Sequence, residues 1–470
     1  MVLAQESLSR WVLRTARVAL NKVKRSPSGQ TGMRHAVYQD IFRDLVGNGD
    51  DPAIVTSLLT GMENDGTLLS RYDALAYLLD RHPRPHWVNY FLCMEEFQNG
   101  IDVVKSYPTY VWMDISSICT VECRFCKYTH QHLPKEIVRP EQVQSIEWLK
   151  YVRLLNLTSG TAEALSNPFF GDIFDYLRDT YPHLHLSFLT NGRTLKERAL
   201  RLIAGRLDAL HVSMNASNEK DYERIIANGS WRDFDRNMAD MTSVFRTQAR
   251  PKVSASFVMM RWNLESQLHN LDYAVDRGAS QILFHHFYPH YIQDLHQADA
   301  QTLGEKFGHD DSLYHEQERA DETILKLRAR GQELGVEVIT PPLFSEQADV
   351  FFGARSLKAP PSDCSDPWTK MYLLWGFKSR REEVTICCGL AADLGVFFDR
   401  DEIASSAGLM RTVRNHPTMR AYRRSVNGTS VNPICKLCRK VDRFAPDAVY
   451  PDQKSFFEFN DLPIPPNLLS

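Results

Sequence analysis

The chain has 470 residues, 43% of them hydrophobic and 24% charged, with a formal net charge of −3. That length implies two or three domains with a sizeable buried core, and the near-neutral charge excludes a globally basic nucleic-acid binder. No run of eighteen apolar residues occurs, and the N-terminus lacks the continuous apolar core of a secretory signal. Neither export nor a transmembrane segment is expected, so the cytoplasm is the expected compartment. The nine cysteines are clustered, which in a reducing compartment points to metal before disulfides.

Residues 1–105 read as a helical region, with apolar residues at helical spacing in Leu13, Ala16 and Leu20 and again from Ile54 to Leu78. From Tyr110 short apolar strands alternate with longer amphipathic stretches. The predicted strands are Thr109 to Ile115, Arg153 to Thr158, Leu184 to Thr190, Ala209 to Met214, Lys252 to Met259 and Gln281 to Phe287. A helix around Ala320 to Leu334 leads to a further strand, Val336 to Thr340, and Pro341-Pro342 marks a boundary. This βα alternation predicts an α/β fold with a parallel sheet whose ligands bind at the carboxyl ends of the strands. Beyond the boundary the chain reads as irregular and punctuated by cysteines.

Just after the first strand stands Cys119-Thr-Val-Glu-Cys123-Arg-Phe-Cys126. Three thiolates within eight residues can hold an iron-sulfur cubane by three corners, leaving one iron open to a small molecule. The same spacing admits a zinc site completed by His130 or a distant ligand.

This loop resembles the signature of the radical S-adenosylmethionine (SAM) superfamily, in which it follows the first strand of a partial (β/α)6 barrel. Phe125 matches the aromatic position before the third cysteine, beside the adenine. Ser159-Gly160-Thr161-Ala162-Glu163 resembles the family's Gly-Gly-Glu region, with Glu163 matching the residue that holds the methionine amino group. Thr190-Asn191-Gly192, Ser213-Met214-Asn215 and Asn263 follow the third, fourth and fifth strands in family order. Ala162 stands where a second glycine is usual and Ala164 where a proline is usual. The resemblance covers about residues 106 to 340. It implies a 4Fe-4S cluster on Cys119, Cys123 and Cys126, a SAM site that includes Phe125, Glu163, Asn191, Ser213, Asn215 and Asn263, and a flavodoxin- or ferredoxin-type electron donor.

A second cysteine set, Cys364, Cys387, Cys388, Cys435 and Cys438, can close one further site. With the upstream core it resembles the auxiliary-cluster extension called SPASM, or its shortened twitch form. Cys364, Cys387, Cys435 and Cys438 are then the ligands of an auxiliary 4Fe-4S cluster, with Cys388 the weaker candidate for the second position. The implied domains are 1–105 (helical), 106–342 (partial barrel) and 343–470 (auxiliary cluster). Cys93 reads as a buried free thiol.

The sixth strand runs into Phe284-His285-His286-Phe287-Tyr288, and His286 and Tyr288 are the candidate catalytic pair at the barrel mouth. Relatives with this extension modify peptides or small metabolites such as amino sugars and aminocyclitols. A helical N-terminus, without a strand-rich peptide-recognition domain, favours a small polar metabolite that is dehydrated, dehydrogenated or epimerised. Peptide maturation is the alternative, and a non-catalytic zinc-binding scaffold is the reading from another class.

Overall fold

The structure, a computed structural model, describes residues 70–126, 135–158, 162–287, 307, 309–341, 343–345, 364–378, 381–385 and 397–427, with isolated positions 40, 41, 43, 45 and 57. It opens on two helices, α1 (Arg71–Leu78) and α2 (Pro85–Gln98). Ser70 caps α1 by accepting from the Asp73 N–H at 3.2 Å, and a proline opens α2.

The sheet is built from β1 (Tyr110–Met113), β2 (Leu154–Asn156), β3 (His185–Thr190), β4 (Ala209–Ser213), β5 (Lys252–Met259), β6 (Gln281–His286) and β7 (Glu337–Ile339). These pair in parallel in chain order, and each coincides with a strand predicted from the sequence. The crossovers are α3 (Phe170–Thr180), α4 (Glu197–Ile203), α5 (Glu219–Ile225), α6 (Trp231–Phe245), α7 (Gln267–Asp276) and α8 (Gln317–Leu334). On α6, Ser230 caps the start, and Phe234, Met238, Met241 and Phe245 form the buried stripe. Gly335 ends α8 at φ 66°, a left-handed cap suited to glycine.

Beyond Pro342 the chain is more ordered than its sequence suggests. β8 (Lys370–Lys378) pairs in parallel with β1, extending the parallel sheet to eight strands. β9 (Arg381–Thr385) and β10 (Phe397–Asp399) follow antiparallel at that edge. The sheet therefore runs β10-β9-β8-β1-β2-β3-β4-β5-β6-β7, across the boundary at Pro342. The β8–β9 hairpin ends at Thr385, two positions before Cys387 in the sequence. A final helix, α9 (Pro417–Asn427), is followed by no further described residue.

Strand alternation divides the sheet into two chemistries. Val111, Leu155, Leu186, Phe188, Leu210, Val212, Ala255, Phe257 and Phe284 are buried on the helix-covered face. Phe170 of α3 meets Phe188 edge-on at 5.3 Å there. The opposite, inner face carries Trp112, Asn156, Ser187, His211, Ser213, Ser254, Ser256 and His285. An apolar shell around a polar lining is the arrangement of a barrel that holds a ligand within.

Beneath the barrel a buried charged cluster ties α2 to the last helical segments. Glu96, Arg414 and Arg423 are fully buried. Glu96 accepts from the Lys105 N–H at 2.6 Å and the Ser106 N–H at 3.0 Å. Arg414 donates to the Trp368 carbonyl at 2.6 Å and Arg423 to the Pro367 carbonyl at 3.0 Å. Cys93 is buried as expected, its Sγ 3.2 Å from Ser106 Oγ. Among the described residues no helix is long and apolar enough to cross a membrane.

Candidate active site at the carboxyl ends of the strands

The loop after β1 carries Cys119, Cys123 and Cys126. Cys123 is anchored to the end of α5: it bridges Ile226, the neighbouring Arg124 N–H donates to the Ile225 carbonyl at 2.9 Å, and Ala227 N–H donates to the Glu122 carbonyl at 2.9 Å. Cys126 N–H closes a turn onto the Cys123 carbonyl at 3.0 Å. Phe125 is half-buried against the core.

Burial pushes the Cys123 thiol well above its usual range, with the neighbouring Cys126 and Cys119 adding to the shift. Burial likewise raises Cys119, to about 11. The neighbouring sulfurs oppose the ionisation of Cys123 and Cys119, an effect that a bound cation would reverse. Among the described residues no three His, Cys, Asp or Glu side chains converge as ligands of a single metal ion. In a cubane each thiolate binds a different iron, so its three sulfurs need not converge. The donor set fits a three-cornered cluster.

Glu163 lies beside this loop and is fully buried. Its backbone N–H donates to the Ile118 carbonyl at 3.0 Å. Its carboxylate accepts from Thr190 Oγ1 at 3.0 and 3.1 Å and from the Asn191 N–H at 2.8 Å. Burial raises its carboxyl above the usual carboxylate range, opposed by these hydrogen bonds. All its partners are neutral donors, and among the described residues no Lys or Arg pairs with it. A carboxylate so placed is the complement of an ammonium group.

Asn191 completes the join. Its side-chain amide donates to Thr120 Oγ1 at 3.2 Å and toward Cys119 Sγ at 3.6 Å. Gly192 follows at φ 77°, and Asn237 of α6 donates to its carbonyl at 2.9 Å. Ser213 ends β4 on the inner face, and Asn215 is the one described non-glycine residue with positive φ, 62°. The structure thus brings Phe125, Glu163, Asn191, Ser213 and Asn215 to successive strand ends around the cysteine loop.

Asn263 is occupied differently. It is 1% exposed; its Oδ1 accepts from the Met260 N–H at 2.7 Å and from Gln267 Nε2 at 2.8 Å, while its Nδ2 donates to the Val258 carbonyl at 2.9 Å. These bonds make it a scaffold of the β5 turn.

The pairing of β5 with β6 also corrects the choice of histidine. His286 sits opposite Met259 on the helix-covered face, 2% exposed and 5.1 Å from the Phe344 ring. The preceding residue, His285, opposite Val258, belongs to the inner face. Two adjacent residues of a strand face opposite ways, and the helix side took the second histidine. Tyr288, Cys387, Cys388, Cys435 and Cys438 lie outside the described residues; Cys364 is half-buried just before the turn Asp366–Thr369.

The inner wall also holds groups that no sequence motif marks. His211 stands between two serines of β5, with Nδ1 2.9 Å from Ser254 Oγ and Nε2 2.9 Å from Ser256 Oγ. Burial, and then the neighbouring His285, lower its pKa to about 4, so it is neutral at physiological pH. Trp112 and Tyr372 stack at 4.7 Å on β1 and β8. Polar residues at every second position of β4 and β5 were the readable signal for this wall.

A parallel barrel with a three-cysteine loop at its mouth and a buried carboxylate beside it defines a class of cluster-binding α/β barrels. Residues 113–269 match the family described as the radical SAM superfamily, and the chain carries a radical SAM superfamily domain. That fold implies a 4Fe-4S cluster and SAM. Among solved structures, the chain is similar to SuiB of Streptococcus suis bound to S-adenosylmethionine, with TM-score 0.55, 11% identity and coverage of 89% of this chain and 92% of that one. It is also similar to SuiB bound to the precursor peptide SuiA, with TM-score 0.53, 11% identity and coverage of 86% and 89%. At these identities the likeness is one of fold. No curated protein matches the chain in sequence.

Proposed function

We propose that this protein reductively cleaves SAM and uses the resulting 5′-deoxyadenosyl radical to abstract a hydrogen from a substrate held inside the barrel. The observation that carries the reading is the buried carboxylate of Glu163, hydrogen-bonded through Asn191 to the loop of Cys119. Cys119, Cys123 and Cys126 would hold the cluster, and Glu163 would receive the methionine ammonium. Phe125, Asn191, Ser213 and Asn215 would border the nucleoside. The bound cluster and SAM supply the electron transfer and the radical; the barrel supplies orientation and exclusion of water. His285 takes over the inner-face role first expected of His286, with Tyr288 as its candidate neighbour.

Residues 343–470 would carry one auxiliary cluster on Cys364, Cys387, Cys435 and Cys438, making the enzyme an oxidoreductase or lyase served by a flavodoxin- or ferredoxin-type donor. The uncharged hydrogen-bonding wall of His211, Ser254 and Ser256 supports a small polar metabolite such as an amino sugar or aminocyclitol. A second reading, peptide maturation, is favoured by the full-length likeness to SuiB, whose structure was determined with its precursor peptide.

Anaerobic reconstitution tests the chemistry. About eight irons with matching sulfide are expected for two 4Fe-4S clusters, and dithionite-reduced protein is expected to release 5′-deoxyadenosine. Cys123→Ala should abolish that release. Stoichiometric zinc without sulfide would instead establish the zinc scaffold. Deuterium transfer to 5′-deoxyadenosine from labelled amino sugars or labelled peptides separates the two substrate classes.

A further inference from the structure

Between the mouths of β4 and β5 runs a chain of polar side chains, Asn263, Gln267, Asn270 and Ser217, each buried at 5% exposure or less. It ends on His269, a surface residue. Its direction follows from backbone groups that cannot be reversed. Gln267 Nε2 lies 2.9 Å from the Asn263 carbonyl, which only accepts, so the amide nitrogen of Gln267 must point there. Gln267 Oε1 is then the acceptor for Asn270 Nδ2 at 3.2 Å. That leaves Asn270 Oδ1 facing Ser217 Oγ at 2.6 Å, so the hydroxyl proton of Ser217 is given to Asn270. With its single proton committed, Ser217 Oγ can only accept from His269 Nδ1, 2.6 Å away. His269 must therefore carry a proton on Nδ1, in its neutral tautomer or as imidazolium.

Ser217 is two residues beyond Asn215. The other side of that turn is held by β5: the Met214 and Asn215 N–H groups both donate to the Ser256 carbonyl at 3.1 Å, and Ala216 N–H closes onto the Met214 carbonyl at 2.7 Å. The stretch Met214–Asn215 is thus held by β5, and Ser217, two residues on, by the polar chain. Asparagine tolerates the left-handed region better than most non-glycine residues, and here these hydrogen bonds fix which way the turn runs.

We propose that the one-way relay His269–Ser217–Asn270–Gln267–Asn263 is the device that positions the Asn215 turn for SAM, with Ser217, Asn270 and His269 as positioning residues. The inference rests on the reading of Asn215 as a SAM contact. It adds that the affinity for SAM depends on a donor at the Nδ1 position of an exposed histidine.

The tautomer and the affinity are tested separately on the full chain. Histidine-selective 15N NMR above the histidine pKa should show Nδ1–H for the resonance that disappears in His269→Asn; an Nε2–H signal there would overturn the relay. Equilibrium dialysis of SAM with the cluster-reconstituted protein should show about tenfold weaker binding in Ser217→Ala, which leaves Asn270 Oδ1 without its donor. His269→Leu removes the same donor from the surface, where folding is little disturbed, and should weaken SAM in the same direction. His269→Asn, whose amide places an N–H near the Nδ1 position, should restore binding to within about twofold of the parent. Unchanged affinity in both Ser217→Ala and His269→Leu would overturn the positioning role while the relay itself stood. Failure of the parent protein to bind SAM would overturn the functional reading and this role with it, leaving the tautomer result intact.

Discussion

Asn191 donates its backbone N–H to Glu163 Oε2 at 2.8 Å and directs its side-chain amide toward Cys119 Sγ at 3.6 Å, so one residue links the buried carboxylate to the cysteine loop. The Thr-Asn-Gly turn after β3 is therefore the join between the candidate cluster site and the candidate SAM site.

Glu163→Gln should weaken SAM binding by about ten- to hundredfold, the range for losing a charge-assisted contact. It also leaves an amide NH2 facing donors from Thr190 and Asn191. The pH dependence has a definite sign. Burial raises the folded-state pKa of Glu163 above its unfolded value. Its contribution to stability is therefore fully present below the unfolded pKa and is lost as pH rises through the folded one. An ammonium ligand favours the carboxylate, so SAM affinity should increase with pH through that same window. Equilibrium dialysis over a pH series that begins at the ordinary carboxylate range and extends above it should show this rise in the parent and a flat profile in Glu163→Gln.

Gly192→Ala should cost about 2–4 kcal/mol, measured by urea unfolding. The residue sits at φ 77°, and an added Cβ would lie 2.8 Å from the Phe234 ring and 2.9 Å from the Met238 side chain. The clash falls chiefly on the rigid, buried Phe234 ring of α6, while the flexible end of Met238 can yield more readily.

Arg414→Met should destabilise the chain by about 3–5 kcal/mol, because it leaves Glu96 as a buried charge with less compensation. Pairing it with Glu96→Gln should recover part of that loss, so the double variant is expected to be less destabilised than the two single effects added. Urea unfolding of the four proteins checks this. The Trp368 carbonyl that Arg414 holds belongs to the segment carrying Cys364, so iron content in the same variants reports whether the clamp matters to the second cysteine set.

The strands of the barrel were legible because each is a short apolar run between turn signals, and β5 has the predicted limits, Lys252–Met259. The cysteine loop was legible because its chemistry is written in local spacing, and Glu163 and the Thr-Asn-Gly turn were legible only through their resemblance to the family's motifs. The far half was less so. β8 joins the barrel beside β1 from more than 250 residues away, and nothing in its local sequence marks that partner.

By itself the sequence determined the parallel α/β order and the three-cysteine loop, since periodicity and spacing are properties of contiguous residues, and the acidic residue beside the loop followed from resemblance to the family's motif. Only the tertiary structure decided which side each residue serves. It put His286 among the helices and His285 on the inner wall, turned Asn263 into a brace for the β5 turn, and joined His269 through Ser217 to the buried amide of Asn270. These outcomes depend on strand register and on which backbone groups lie within hydrogen-bond reach. Such distances are set by packing between elements far apart in the chain.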